Sequence, residues 1–155
     1  AAVAFLPGCI RSEPVPVTIP VKSAVTPTAK GGHGHDHHHD VGPHHGTLAD
    51  WGGGKYHVEF TVDHDKKQAV VYILGDDEKT PSPIDADTVL LSIKDPEFQL
   101  ELKASPLEGE PEGQSSRFVG VDDKLGKVQE FQGTISAEVD GTPYVGEFKE
   151  EPHSH

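Results

Sequence analysis

The sequence predicts an all-β fold, an antiparallel β-sandwich of about seven short strands over residues 46–150. Three observations predict it. Runs of alternating apolar and polar residues recur about every ten residues, and the connections between them contain prolines. No segment shows apolar residues at the 3.6-residue spacing of a helix. The residues before this domain form a proline-rich and histidine-rich segment that we expect to be disordered, and residues 151–155 form a tail.

The first clear strand is "KYHVEFTV", residues 55–62, in which apolar and polar residues alternate strictly. One face carries Tyr56, Val58, Phe60 and Val62, and the other carries His57, Glu59 and Thr61. "DHDK" follows as a polar turn, and "QAVVYILG" is a second, β-branched strand. We expect the first of these faces to be buried and the polar face to be ordinary solvated surface.

The later strands are read from the same kind of pattern. "DTVLLSIK" and "GQSSRFVGV" are predicted strands, and "EFQLELKA" alternates with Phe98, Leu100, Leu102 and Ala104 directed inward. In "FQGTISAEVDGTPYVGEF" two alternating runs flank Asp140-Gly141, a dipeptide that favours a type I′ hairpin. Tyr144 and Phe148 are expected to meet the apolar face of the first run, which carries Phe131, Ile135, Ala137 and Val139. Trp51, which precedes three glycines, is expected to cap one end of the core.

Composition restricts the partners of the chain. The 155 residues carry a formal net charge of −13 at pH 7 with histidine neutral. Such a chain repels nucleic acid and anionic headgroups, so cations are its natural partners. The single cysteine, Cys9, excludes an intrachain disulfide.

The first nine residues, "AAVAFLPGC", are an apolar run that is too short to span a bilayer. Leu6-Pro7-Gly8-Cys9 resembles the lipobox of bacterial lipoprotein signal peptides, although Pro7 departs from the small or β-branched residue usual at its position. The resemblance implies that Cys9 is lipidated and that the protein is anchored to a bacterial membrane, in the periplasm or at the cell surface. The alternative is an apolar segment whose cysteine is incidental. Residues 10–30 contain four prolines and are predicted to form an extended linker.

Residues 31–45, "GGHGHDHHHDVGPHH", hold seven of the 11 histidines and form the histidine tract. Its predicted metal ligands are His33, His35, His37, His38, His39, His44 and His45, with Asp36 and Asp40 as further oxygen donors. Imidazole and carboxylate suit divalent Zn, Cu(II) or Ni. Cu(I) prefers thiolate or thioether donors, but the sequence has no methionine and its one cysteine, Cys9, is expected to be lipidated. Other interpretations are a purification tag, a solvated linker and a pH-responsive segment.

Within the predicted domain, His57 is a further candidate ligand, because His44 or His45 enters the fold close to its strand. Such a site would be ordered, unlike the rest of the tract. Weaker candidates are Glu59, His64, His153 and His155. Glu59 shares a strand face with His57, about 7 Å away at Cα.

The segment "HHGTLADWGGGKYHVEFTVDHDKKQAVVYIL" is similar to His-Gly-containing β domains of bacterial envelope proteins. Some of these domains accompany periplasmic adaptor subunits of heavy-metal efflux pumps of the resistance-nodulation-division type. The likeness covers roughly residues 44–95 and rests on one short pattern. It implies a metal-handling envelope context, with an efflux system or another envelope protein as partner. The coiled-coil hairpin of a complete adaptor is absent from this sequence.

The sequence carries no motif that predicts catalysis. His-Glu-x-x-His, Gly-x-Ser-x-Gly and phosphate-loop patterns are missing. Copper-zinc superoxide dismutases are also β-sandwiches, but their metal histidines lie in strands, whereas the His-x-His pairs here lie in the tract and the last three residues. Two hypotheses follow. The chain is a non-enzymatic, lipid-anchored metal-binding protein, or it is a β-sandwich interaction module whose histidine tract is only a tether.

Overall fold

The computed structural model describes residues 41–151. These residues contain eight strands and one short 3₁₀ helix, and every pair of neighbouring strands is antiparallel. The elements are β1 (Thr47–Trp51), β2 (Tyr56–Asp63), β3 (Gln68–Leu74), β4 (Thr88–Lys94), β5 (Glu97–Ala104), β6 (Arg117–Val121), the 3₁₀ helix (Asp123–Gly126), β7 (Phe131–Val139) and β8 (Thr142–Glu150). The predicted all-β antiparallel fold is therefore confirmed. Within the same residues, no helix has the length and hydropathy needed to cross a membrane.

The eight strands form one continuous sheet in the order β1-β2-β3-β6-β5-β4-β7-β8. The sheet curls so that its first and last strands, β1 and β8, come into contact. Each of the eight strands contributes apolar side chains to a single core, with Phe60, Phe118 and Phe131 fully buried. The single sheet thus closes almost completely around this core and is nearly barrel-like.

The last hairpin follows the sequence prediction closely. Asp140 and Gly141 both have positive φ angles, 50° and 72°, as a type I′ turn requires. The register pairs Ala137 with Tyr144 and places Phe148 opposite Gly133. The aromatic residues of β8 therefore meet the apolar face of β7 as predicted.

Two predicted details are wrong at strand ends. Ala104, expected to point inward, is exposed because it is the last residue of β5 and lies at the rim of the sheet. The predicted strand over residues 113–121 begins only at Arg117. Just before it, the backbone N–H of Ser116 donates to the carboxylate of Glu110 at 3.1 Å, so this residue is held by the preceding loop.

Trp51, which the sequence predicted to cap one end of the core, is enclosed in the core. Its side chain is 0% exposed, and Nε1 donates a hydrogen bond of 3.0 Å to the carbonyl of Ile135 in β7. Gly146 of β8 leaves the space that the Trp51 side chain and the β1 backbone occupy. A Cβ at position 146 would lie 2.7 Å from the Asp50 carbonyl oxygen and 2.9 Å from Trp51 Cδ1. The contact between β1 and β8 therefore depends on a large side chain facing a glycine.

Candidate functional site

Glu59 on β2 is buried, although the sequence predicted that it would lie on a solvated face. Its exposure is 0%, because residues 42–46, the cover loop, lie over this part of the sheet. Oε1 accepts hydrogen bonds from the backbone N–H groups of His44 at 2.7 Å and Gly46 at 2.8 Å. Oε2 lies 2.7 Å from Nδ1 of His44. Three donors thus satisfy a carboxylate that would otherwise be costly to bury.

The cover loop is a tight turn that two glycines allow to approach the sheet. The chain reverses between Val41 and Thr47, which form a β-bridge, and the Gly42 N–H donates to the Gly46 carbonyl at 2.9 Å. A Cβ at Gly42 would lie 2.3 Å from Glu59 Cδ, and one at Gly46 would lie 2.2 Å from the Phe60 carbonyl oxygen. Only glycine at these positions lets the loop bring His44 onto the sheet.

His44, from the end of the histidine tract, is oriented by two contacts. Its ring stacks on Tyr72 of β3 at a centroid distance of 3.7 Å and an interplanar angle of 6°. Its Nδ1 faces the Glu59 carboxylate, which accepts hydrogen bonds, so Nδ1 carries the hydrogen. In the neutral ring the lone pair is then on Nε2, and the side chain is 39% exposed. The imidazole of His44 is therefore held in one orientation, with the lone pair of Nε2 free of the Glu59 hydrogen bond.

His57 lies on the same face of β2 but contacts a different loop. Its Nδ1 lies 3.0 Å from the carbonyl oxygen of Gly75, and its Nε2 lies 3.4 Å from Oε1 of Glu78. The side chain of His57 is 13% exposed and that of Glu78 is 44% exposed. Glu78 is not among the site residues predicted from the sequence, because it lies in a run of acidic residues that is typical of an ordinary turn.

His64 occupies the turn between β2 and β3 and connects it to the 3₁₀ helix. Its Nδ1 lies 2.7 Å from the Leu125 carbonyl oxygen, and its ring lies 6.1 Å from that of Phe131. The structure therefore gives His64 a role in holding this end of the sheet together.

The predicted ligands are distributed as follows. Within residues 41–151, no three His, Cys, Asp or Glu side chains converge as a metal-binding group. His44 and His57 contact different carboxylates, Glu59 and Glu78. The predicted positions His33, His35, His37, His38, His39, Asp36, Asp40, His153, His155 and Cys9 lie outside the described residues.

Comparisons with known proteins find no match to this chain among protein-family models, curated proteins or solved structures. The similarity of residues 44–95 to β domains of metal-handling envelope proteins stays a prediction. Function must therefore be argued from the residues themselves.

The loop that carries Glu78, residues 75–80, is fixed by the side chain of Asp77. Its carboxylate accepts hydrogen bonds from the Thr80 hydroxyl, from the Thr80 N–H at 2.8 Å and from the Lys79 N–H at 3.0 Å. These bonds, that of the Thr80 hydroxyl first, lower the pKa of Asp77 to about 2. These hydrogen bonds fix the conformation of the loop.

We expect Asp77 to make the stability of the protein pH-dependent below about pH 4. The pKa of Asp77 is lower in the folded protein than in the unfolded chain, so the ionised carboxylate stabilises the folded state above the unfolded pKa. This stabilisation is lost as the pH falls to about 2. Thermal melting of the wild type and of Asp77→Asn between these pH values tests this. The melting temperature of the variant should fall less steeply with acid, whereas parallel curves would contradict the assignment. Asp76→Asn is the matched control.

Proposed function

We propose that the chain binds divalent transition-metal ions, Zn²⁺, Cu²⁺ or Ni²⁺, through the imidazoles of the histidine tract. In this proposal it is a lipid-anchored envelope protein that buffers or delivers these ions, and its partner is a heavy-metal efflux system or another envelope protein. The observation that carries the proposal is the arrangement of His44, whose Nδ1 is held by the buried Glu59 while Nε2 keeps its lone pair.

This arrangement is the one that metal-binding histidines commonly use. A carboxylate that accepts from one ring nitrogen fixes the tautomer and raises the basicity of the other nitrogen. Glu59 does this from a position that is itself fixed by the N–H groups of His44 and Gly46. The stacked ring of Tyr72 restricts rotation of the imidazole, so little conformational entropy is lost when an ion binds.

The covalent connection between His44 and the remaining tract strengthens the proposal. His39 precedes His44 by five residues, a length of chain that spans at most ~18 Å. The other imidazoles are thus held at high effective concentration around one oriented donor. A tract of this kind should hold several ions in exchanging arrangements. Its affinity should fall as the pH drops toward ~6 and the rings become protonated.

Calorimetry of the full chain with Zn²⁺, Cu²⁺ and Ni²⁺ at about pH 7.5 tests this function, because most free imidazoles are neutral there. We expect binding of more than one ion. Changing all five histidines at positions 33, 35, 37, 38 and 39 to glutamine should remove most of these ions and lower the affinity at least about tenfold. The control changes His153 and His155, two histidines outside the tract, to glutamine and should retain the tract's ions.

A wild-type chain that binds none of the three metals would overturn the proposal and leave the tract as a tether for a β-sandwich interaction module. Mass spectrometry of the N-terminus of the protein purified from membranes tests the envelope anchor separately. We expect an acylated Cys9, and an unmodified Cys9 would exclude lipidation.

A further inference from the structure

We propose that His57 and Glu78 form a second, ordered site for one divalent transition-metal ion on the folded domain. The proposal shares its class of ligand with the function proposed above. It does not depend on the histidine tract, since both side chains belong to the described sheet and its loop.

The imidazole of His57 is set in the tautomer that a ligand needs. The Gly75 carbonyl oxygen, 3.0 Å from Nδ1, can only accept a hydrogen bond, so Nδ1 carries the hydrogen. In the neutral ring, Nε2 therefore presents its lone pair toward the carboxylate of Glu78. Two acceptors that face each other repel unless a proton or a metal ion lies between them.

The distance between these two acceptors fits a shared metal ion. Nε2 of His57 and Oε1 of Glu78 are 3.4 Å apart, which is longer than a normal hydrogen bond between nitrogen and oxygen. Two ligands of a tetrahedral Zn²⁺, each bonded at about 2.1 Å, lie roughly 3.4 Å from each other. An ion between them could take up its ordinary bond lengths with little movement of either side chain.

The backbone of Glu78 adopts a strained conformation to place its side chain at this position. Its φ angle is +59°, a left-handed conformation that glutamate seldom adopts. Its N–H donates to the Gly75 carbonyl at 3.2 Å, so that one carbonyl positions both proposed ligands. The Gly75 N–H donates in turn to the Thr80 carbonyl at 2.9 Å, and Asp77 fixes the remainder of the loop.

The charges around the pair favour a cation. Asp50 on β1 lies directly opposite His57 in the register, and Asp76 and Asp77 precede Glu78 in the loop. Lys79 is the only basic residue within the loop. The His57 side chain is only 13% exposed, which limits screening by water on its side of the pair, so the attraction for a divalent ion is stronger than on an open surface. Water or a further imidazole would complete the coordination, as in sites with open positions.

Co²⁺ and Zn²⁺ titrations of the full chain carrying the five glutamine substitutions at tract positions 33–39 test this site. We expect one ion to remain bound, with the visible absorption of Co²⁺ in a nitrogen- and oxygen-coordinated site. Adding His57→Gln or Glu78→Gln should weaken this residual binding at least about tenfold. Glu108→Gln makes the same change at an exposed position in a different loop and should leave it unchanged. Thermal melting confirms that each variant is folded.

The outcomes separate this site from the function of the tract. If the wild type binds metal but the tract variant binds none, the His57–Glu78 site is overturned and the tract function stands. Residual binding that survives both His57→Gln and Glu78→Gln also overturns the site, and shows the pair to be an ordinary ion pair. If the tract variant binds as many ions as the wild type, the proposed function of the tract is wrong. The ordered site then stands only if Glu78→Gln weakens metal binding by the tract variant.

Discussion

Replacing Trp51 by alanine is expected to lower the free energy of unfolding by about 4 kcal/mol, the usual cost of removing a large aromatic side chain from a core. The side chain is fully buried and stacks against Tyr144 of β8 at a centroid distance of 5.9 Å. Its Nε1 also donates to the Ile135 carbonyl across the core. The substitution thus leaves a cavity and removes this hydrogen bond where β1 meets the other end of the sheet.

Urea unfolding followed by circular dichroism measures this effect, since Trp51 is the only tryptophan and its fluorescence is lost in the variant. Trp51→Phe keeps much of the volume but loses the hydrogen bond, so it should cost less than Trp51→Ala. Val145→Ala is the control, because this neighbouring residue on β8 is 62% exposed and should change stability by no more than about 0.5 kcal/mol. A loss below about 1 kcal/mol for Trp51→Ala would contradict the closure of the sheet described above.

The sequence predicted the parts of the fold that depend on residues close together in the chain. The Asp140-Gly141 turn requires positive φ at two successive positions, and the strands on either side then have only one register that buries Phe148. The alternation in residues 55–62 likewise identified the inner face of β2, where Val58 and Phe60 are fully buried.

The parts that the sequence did not predict depend on contacts between distant segments. Alternation shows which side chains share a face, but not what covers that face. Glu59 is buried because Gly42 and Gly46 let the cover loop approach it, and nothing in the strand's own pattern indicates this. The hydrogen-bond partner of Trp51 could not be predicted for the same reason, since the Ile135 carbonyl is 84 residues away.

The surroundings of the histidines were predicted in part. The sequence placed His44 or His45 close to the strand of His57, and His44 lies against Glu59 of that strand, whereas metal binding by His44 and His57 stays a prediction. Nδ1 of His44 lies at the Glu59 carboxylate, and Nδ1 of His57 lies at the Gly75 carbonyl oxygen. Glu59 was considered as the companion of His57, because residues two apart share a strand face. In the structure Glu59 orients His44, and Glu78 faces His57. The sequence signal for Glu78 would have been its position just after β3, since Leu74 pairs with His57 in the register.

Replacing Glu59 by alanine is expected to cost about 3 kcal/mol, because two backbone N–H groups and one imidazole lose their buried acceptor. In a domain of this size the melting temperature should fall by roughly 10 °C. Glu59→Gln keeps one carbonyl acceptor for the N–H groups of His44 and Gly46, so it should cost less. Glu147→Ala on β8, whose side chain is 79% exposed, is the control and should melt close to the wild type.

Hydrogen exchange shows whether the loss is local to the cover loop. The amides of His44 and Gly46 should exchange much faster in Glu59→Ala, while the amides of the β7–β8 hairpin, paired from Phe131 to Glu150, should keep their protection relative to global unfolding. Release of the loop would also free the His44 ring from Tyr72. Metal affinity should then fall in Glu59→Ala although every histidine is still present, because the tract would lose its one oriented donor. Unchanged affinity together with fast loop exchange would show that Glu59 serves the fold alone.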